Sequence, residues 1–214
     1  MDAYKILALV PMKPDLKPQL RWRCMRQLHN LKAMMGDIID VVTESGKQGD
    51  ASSNNLRGRL ADLAILRNSM IDKHLVQGYS HVLWIDADVF YTPVDVIQLM
   101  QIENSIVAPA VYMDGHYPRW YDVFGFIHNG LPARVIPPHF DSPDTIIDVE
   151  SVGTMYVIPA NVFRLGGRYA DHPQWVEHYS LCEAARELGY GCKVRMDVPV
   201  FHCHLPDVGE AWHQ

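Results

Sequence analysis

The sequence is poor in cysteine and has no long hydrophobic run. Its 214 residues include only 4 cysteines, none of them in a CxxC pair, so a disulfide framework is not indicated and a reducing compartment is the simpler interpretation. The first apolar run, residues 6–10, is stopped by Pro11, whereas a membrane span takes about 20 residues. We therefore expect no targeting segment, no membrane span, and a soluble protein in the cytoplasm.

Positive charge is not in excess either. Lysine and arginine number 19 against 25 acidic residues, which gives a net charge of −6 and argues against broad coating by nucleic acid. Two local basic clusters remain, and solvated helix faces are the simpler explanation for both: Arg21, Arg23 and Arg26, and Arg57, Arg59 and Arg67. With 48% hydrophobic and 21% charged residues, the composition is that of a globular chain rather than a disordered one.

Strands and helices are expected to alternate along the chain. Hydrophobic periodicity predicts strands at residues 5–10, 38–43, 81–90, 106–111, 146–158 and 193–204, and helices at 20–35, 56–75 and 175–188. A short helix is expected to open at Thr92 and Pro93. Residues 11–18, 45–55 and 116–144 are expected to be loops, the last with room for one hairpin. This order predicts an α/β fold with a mostly parallel central sheet flanked by helices.

Two carboxylates follow the most apolar part of the third strand, as Asp86-Ala87-Asp88. Ligands of open α/β sheets collect beyond the carboxyl ends of the strands. Carboxylate oxygens suit Mg²⁺ or Mn²⁺, and such an ion would neutralise a diphosphate. The alternative is that both aspartates cap the following turn or pair with arginines.

Arg67 falls in the middle of the apolar face of the second helix. A buried guanidinium needs an anionic partner. A ligand diphosphate and the carboxylate of Asp86 are both candidate partners, and Arg67 could bind both of them at once.

Two further polar pairs lie in the second half of the chain. Glu177 and His178 stand at the start of a helix, where a carboxylate could accept a proton from a hydroxyl; the alternative is an acid that favours the helix N-terminus. His202 and His204 share one face of the last strand, and one of them could complete a metal site with the aspartates. An ordinary hydrogen-bonded histidine is the alternative.

Several other residues are weaker candidates. Pro11 and Glu44 end the first and second strands, where a nucleoside could lie across the sheet edge. Trp120, Tyr121 and Gly153 belong to the irregular second half and could line an acceptor pocket, although core packing is the simpler role for any single aromatic residue.

The order of these motifs resembles that of a GT-A glycosyltransferase. The Arg-Asn pair at 67–68, the strand ending in Asp86-Ala87-Asp88, the Glu-Ser-Val-Gly-Thr-Met-Tyr segment at 150–156, and the helix at 177–189 carry the resemblance. In motif order the chain is most similar to the fungal mannan-polymerase (Anp1-like) family. The resemblance spans residues 67–205.

The resemblance implies a single GT-A-like domain over residues 1–214, with a nucleotide-sugar-binding half (1–112) and an acceptor-binding half (113–214). It implies a GDP- or UDP-hexose donor and a Mn²⁺ or Mg²⁺ ion held by Asp86, Asp88 and His204, with His202 as the alternative histidine. Arg67 and Ala87 would lie at the donor, and Gly153 would face the acceptor. Asp88, Glu177 and His178 would be catalytic, with Glu177 as a base suited to inversion, whereas the fungal family retains configuration.

Function is therefore expected to be hexosyl transfer to an acceptor hydroxyl. The acceptor stays open among a glycan, a small glycoside, a protein and a modified nucleobase in DNA. A non-catalytic nucleotide-sugar-binding module is one alternative. A haloacid-dehalogenase-like phosphatase is another, disfavoured because two strands precede the aspartates and no acidic pair ends a later strand.

Overall fold

The computed structural model describes residues 4–45, 56–114, 119–121, 127–128, 131–132 and 145–203. The strands are β1 (Ile6–Met12), β2 (Ile39–Ser45), β3 (His81–Ile85), β4 (Val89–Phe90), β5 (Ser105–Met113), β6 (Ile127–His128), β7 (Leu131–Pro132), β8 (Ile146–Asp148), β9 (Met155–Pro159) and β10 (Gly191–His202). The helices are α1 (Pro18–Met35), α2 (Leu56–His74), α3 (Pro93–Leu99), α4 (Ala160–Arg164) and α5 (Glu177–Glu187).

In the described part of the chain, eight strands form one sheet in the order β2-β1-β3-β9-β5-β10-β4, with β8 also paired to β10. Five of them, β1, β2, β3, β5 and β10, run in one direction, while β4, β8 and β9 run the opposite way. The predicted α/β class with a mostly parallel central sheet is thus confirmed.

The core lies where the helices cover the central strands. Every residue of β1 is buried, as expected of a parallel strand covered on both faces. Helix α1 packs against β2 and α3, and α2 packs against β1 and α5. Because loops at the carboxyl ends of β1 and β3 emerge from this rigid centre, the side chains that follow these strands are held in defined positions.

Capping explains where two helices begin and end. Pro93 is the first residue of α3, and the Thr92 N–H donates to Asp95 Oδ2 at 2.6 Å, which confirms the predicted start. Gly36 follows α1 with a positive φ of 57°, and such a residue ends a helix at low steric cost. None of the helices in the described ranges combines the length and apolar character needed to cross a bilayer.

Three strand predictions were wrong in detail. Residues 81–90 form two strands rather than one, because the chain turns at Asp86 and β4 then pairs with β10. Residues 146–158 also form two strands, since β8 pairs with β10 while β9 lies between β3 and β5. Pro11 belongs to β1 rather than to a loop. The pairing of β1 with β3 ends at Leu9, so the missing Pro11 N–H interrupts no bond on that side.

Some predictions concern residues that the structure does not describe. The predicted loop at 45–55 lies outside the described residues except for Ser45, which ends β2, and most of the predicted loop at 116–144 lies outside them as well. Within the described part of that second loop, β6 and β7 pair as an antiparallel hairpin, in agreement with the expectation of one hairpin.

Leu83 tests how strongly the core holds β3, the strand that leads into the aspartates. Its side chain is fully buried. Leu83→Ala removes apolar contacts and leaves a cavity, so it should lower the free energy of unfolding by about 2–5 kcal/mol. Urea denaturation measures this change. Ile65→Ala, at a side chain that is 67% exposed, is the control and should shift stability by no more than about 0.5 kcal/mol.

Candidate active site

A cavity of about 130 Å³ lies at the carboxyl ends of β1 and β3. Its described lining residues come from the loop after β1, from α2, from the turn between β3 and β4, and from the end of β10: Pro11, Lys13, Leu16, Leu63, Arg67, Asp86, Ala87, Asp88, Tyr121 and His202. The structure therefore brings together six of the residues that the sequence suggested for donor or metal binding: Pro11, Arg67, Asp86, Ala87, Asp88 and His202.

Asp86 is fixed through its backbone and its carboxylate. Its N–H donates to the Thr154 carbonyl at 2.9 Å, and its Oδ1 lies 3.6 Å from Arg67 Nη2. Thr154 is buried and has a φ of +66°, a conformation that costs a β-branched residue free energy. The bond to Asp86 is one contact that holds Thr154 in this conformation.

Asp88 is held by two residues at the carboxyl end of β10. Its Oδ2 lies 3.2 Å from His202 Nε2, and its carbonyl accepts the Cys203 N–H at 2.7 Å. The His202 ring stacks on Tyr121, with centroids 3.5 Å apart. Burial raises the pKa of the Asp88 carboxyl, but the hydrogen bond and charge of His202 and the charge of Lys13 outweigh burial and lower that pKa. Asp88 is therefore an anion at neutral pH.

Arg67 is a buried cation at the back of this cavity. Only 3% of its side chain is exposed. Its Nη1 donates to the Tyr156 hydroxyl at 2.7 Å, and the guanidinium carbon lies 4.8 Å from the Trp84 ring and 5.3 Å from the Tyr169 ring. Aromatic faces stabilise a desolvated cation, so both the expected pairing with Asp86 and an aromatic enclosure are present.

Glu177 contacts Arg67 but does not itself line the cavity. Its Oε1 is 3.4 Å from Arg67 Nη1 and 3.3 Å from His178 Nδ1, and its side chain is 1% exposed. Burial raises the pKa of Glu177, but the charges of His178 and Arg67 outweigh burial and lower it to about 2. Neither Glu177 nor His178 lines the cavity. A carboxylate this acidic is an anion at neutral pH, and its burial against the guanidinium suits a counter-ion for Arg67.

The remaining sequence-derived candidates lie elsewhere. Glu44 Oε1 is bound by Lys73 Nζ at 2.5 Å and His74 Nε2 at 2.6 Å, bonds that lower the pKa of Glu44, and Glu44 does not line the cavity. Trp120 is buried beside Tyr112, as core packing predicts. Gly153 is buried and lies outside the cavity lining. His204 lies outside the described residues.

Comparison with known proteins decides the family. The Anp1 family model matches residues 21–129, just over half of the chain. The chain belongs to the Anp1 family. The matched residues include Arg67, both cavity aspartates and Tyr121.

Two relatives of this Anp1-family chain are fungal. It is 24% identical over 198 residues to the mannan polymerase complex subunit mnn9 of Schizosaccharomyces pombe, covering 78% of the chain and 58% of that protein. It is 26% identical over 182 residues to the mannan polymerase complex subunit MNN9 of Candida albicans, covering 67% of the chain and 49% of that protein. The chain thus spans about half the length of these relatives.

Solved structures support the fold. The catalytic domain of Drosophila β1,4-galactosyltransferase 7, in complex with xylobiose, matches with a TM-score of 0.58 at 11% identity, over 94% of this chain and 71% of that one. The mannosyltransferase PcManGT of Pyrobaculum calidifontis, in complex with GDP-Man and Mn²⁺, also matches with a TM-score of 0.58, at 12% identity, over 97% of this chain and 59% of that one. The Anp1-family chain therefore has the GT-A glycosyltransferase fold.

The donor atoms at the cavity suit a hard divalent cation in part. Asp86 and Asp88 offer carboxylate oxygens and His202 an imidazole nitrogen, all lining one cavity. Within the described residues, no group of three or more His, Cys, Asp or Glu is arranged to hold a metal ion. Mg²⁺ and similar ions commonly bind through one or two carboxylates and complete their shell with water and substrate phosphates, and this donor set fits that mode.

Sequence reasoning missed three residues that shape the site. Lys13 is the first residue after β1. Because ligands bind beyond the carboxyl ends of the strands, the residues after Pro11 were candidates as well, and this signal could have identified Lys13. Tyr156 and Tyr169 contact Arg67 from β9 and from an irregular segment. No spacing in the sequence links either tyrosine to α2, because the contact is made only by the tertiary fold.

Glu177 provides a test of the buried cation. Glu177→Gln keeps the shape of the side chain but leaves Arg67 without its buried counter-ion, so the free energy of unfolding should fall by roughly 3–5 kcal/mol. Denaturant titration at neutral pH measures this. Glu183→Gln on the exposed side of α5 is the control and should change little. Equal stability of the two variants would contradict the role of Glu177 as a counter-ion.

The pH dependence of the free energy of unfolding, compared between the parent chain and Glu177→Gln, gives an independent test. The pKa of Glu177 falls from 4.5 to about 2 on folding, so its stabilising contribution is present above pH 4.5 and is lost as the pH drops toward 2. Stability of the parent chain should therefore decline more steeply in this window than that of Glu177→Gln. Parallel curves would show that the carboxylate does not titrate with folding.

Proposed function

We propose that this Anp1-family protein is a metal-dependent glycosyltransferase that moves a hexose from a nucleotide-diphosphate sugar to an acceptor hydroxyl. The observation that carries the proposal is the convergence of Asp86, Asp88, Arg67 and His202 on one cavity at the carboxyl ends of parallel strands. This is where ligands of such sheets bind. The two carboxylates suit a divalent cation, and that cation together with the buried guanidinium suits a diphosphate.

The charged residues and the histidine at the cavity have proposed roles in donor binding. Asp86 and Asp88, with His202 or His204, would hold Mn²⁺ or Mg²⁺, which when bound supplies positive charge to the diphosphate leaving group. Arg67 and Lys13 add fixed positive charge on the protein side, where charge develops as the sugar leaves. Of the two histidines, His202 is the better supported, because its Nε2 lies 3.2 Å from Asp88.

Glu177 enters this proposal as a positioning residue rather than as the base. Its Oε1 pairs with Arg67 Nη1, while Arg67 Nη2 stays beside Asp86. His178 shares the same buried contact.

The donor is proposed to be a GDP- or UDP-hexose. One structural neighbour is a mannosyltransferase holding GDP-Man and Mn²⁺, and another is a galactosyltransferase mutant holding manganese, UDP-Gal and xylobiose. Two relatives are subunits of mannan polymerase complexes, which, together with the GDP-Man in the mannosyltransferase neighbour, supports GDP-mannose as the first donor to test.

Asp88 is the residue on which turnover should depend most. Asp88→Asn keeps the size of the side chain but removes the charge, so we expect kcat for sugar transfer or donor hydrolysis to fall by about 100-fold or more. Mn²⁺-dependent release of GDP or UDP from the nucleotide sugar measures it. Asp37→Asn, at an exposed residue remote from the cavity lining, is the control. Full activity of Asp88→Asn would exclude Asp88 from the metal site.

Nucleotide preference can be measured without turnover. A nucleoside diphosphate at about 100 times its dissociation constant stabilises by about 2.7 kcal/mol, which should raise Tm by roughly 5–10 °C in a chain of this size. We expect GDP with Mn²⁺ to give the larger shift, and EDTA or Asp88→Asn to remove it. A shift without any nucleotide-sugar hydrolysis would instead indicate a non-catalytic binding module.

A further inference from the structure

Helix α1 carries positive charge that the proposed catalytic site does not use. Its sequence contains Arg21, Arg23, Arg26 and Lys32 and no acidic residue, although the whole chain has a net charge of −6. The three arginines fall in the N-terminal half of the helix. A strongly positive helix on an acidic protein is a local feature that an anionic partner would recognise.

Exposed apolar side chains lie among these arginines. Trp22 is 60% exposed and Met25 is 48% exposed, and residues three apart on a helix are neighbours. The core-facing residues of α1, such as Leu28 and Leu31, are buried on the other side. We name the outer surface formed by Arg21, Trp22, Met25 and Arg26 the basic aromatic face.

The arginine side chains on and beside this face contact aromatic rings and a backbone carbonyl. The Arg26 guanidinium lies 4.5 Å from the Trp22 ring, and Arg23 lies 5.5 Å from the ring of Phe90, which is itself 39% exposed at the edge strand β4. Arg21 Nη2 donates to the Lys13 carbonyl at 3.3 Å. Cations thus stand beside each exposed ring, and β4 continues the surface beyond the helix.

We propose that the basic aromatic face docks on an anionic lipid bilayer, with α1 lying along the headgroup layer. Arginine attracts anionic headgroups, and tryptophan and methionine can enter the boundary between headgroups and acyl chains. Duplex DNA would use the arginines but would leave Trp22 and Met25 without an apolar environment, whereas the headgroup boundary of a bilayer takes up both kinds of side chain. The mixture of both residue types therefore favours lipid.

Docking of α1 on a bilayer would fix the orientation of the cavity relative to the membrane. Lys13 and Leu16, which line the cavity, lie in the loop immediately before Pro18, the first residue of α1. A bilayer against α1 would therefore lie beside the cavity. The docking itself does not depend on the proposed function, so the two can fail separately.

Co-sedimentation with vesicles tests the proposal on the full chain. Binding should require phosphatidylserine, here in a roughly 1:3 ratio to phosphatidylcholine, and should weaken with salt because headgroup attraction is screened. Trp22→Ser/Arg26→Gln should reduce the partition coefficient by about 10-fold or more, since a single arginine near such a surface contributes about fivefold. Transfer to a soluble acceptor should be unchanged in this variant.

The matched control removes the same kinds of side chain from another helix. Ile65 and Lys73 of α2 are 67% and 63% exposed, so Ile65→Ser/Lys73→Gln loses one apolar group and one cation and should bind vesicles like the parent chain. Three results would overturn the proposal: no vesicle binding, equal loss in both variants, or binding that is as strong to pure phosphatidylcholine. Retention on DNA without vesicle binding would overturn it in favour of a polyanion.

Discussion

Arg67 brings a full positive charge into the interior, and the elements around the cavity are arranged to compensate for it. Its guanidinium meets Asp86 after β3, Glu177 at the start of α5 and the Tyr156 hydroxyl on β9. A buried unpaired cation would be very costly, so these three elements cannot shift independently. Arg67 consequently connects the turn that carries the aspartates to the start of α5.

The turn itself combines a local hydrogen bond with contacts distant in sequence. The Val89 N–H donates to the Asp86 carbonyl at 3.2 Å and closes the turn. The Asp86 N–H extends the pairing of β3 by donating to the Thr154 carbonyl, and the Asp88 carbonyl accepts the N–H of Cys203, which follows β10. The two carboxylates therefore have different surroundings although only Ala87 separates them. Asp86 faces the guanidinium of Arg67, whereas Asp88 faces the imidazole of His202.

Much of the fold could be predicted from local signals, and the errors have a common physical origin. Apolar runs and helical periodicity located β1, α1 and α5, and Thr92 with Pro93 fixed the start of α3. The turn after Asp86 was not predicted, although an aspartate is typical of the first position of such a turn, because the apolar residues on both sides of it favoured one continuous strand over residues 81–90. The different partners of the two strands, β9 for β3 and β10 for β4, are contacts of the tertiary fold that no local pattern shows. Similarly, a helix-start carboxylate was recognised at Glu177, but its pairing with Arg67 joins residues far apart in sequence.

The position of β9 has a consequence for how the chain acquires its structure. This strand lies antiparallel between β3 and β5, so neither has its full complement of neighbours until residues 155–159 have been synthesised. A nascent polypeptide that ends near residue 112 would expose two open strand edges, which attract intermolecular pairing. Strands before residue 114 and strands after residue 145 are thus interleaved in one sheet, and the sheet can close only after β9 and β10 have been synthesised.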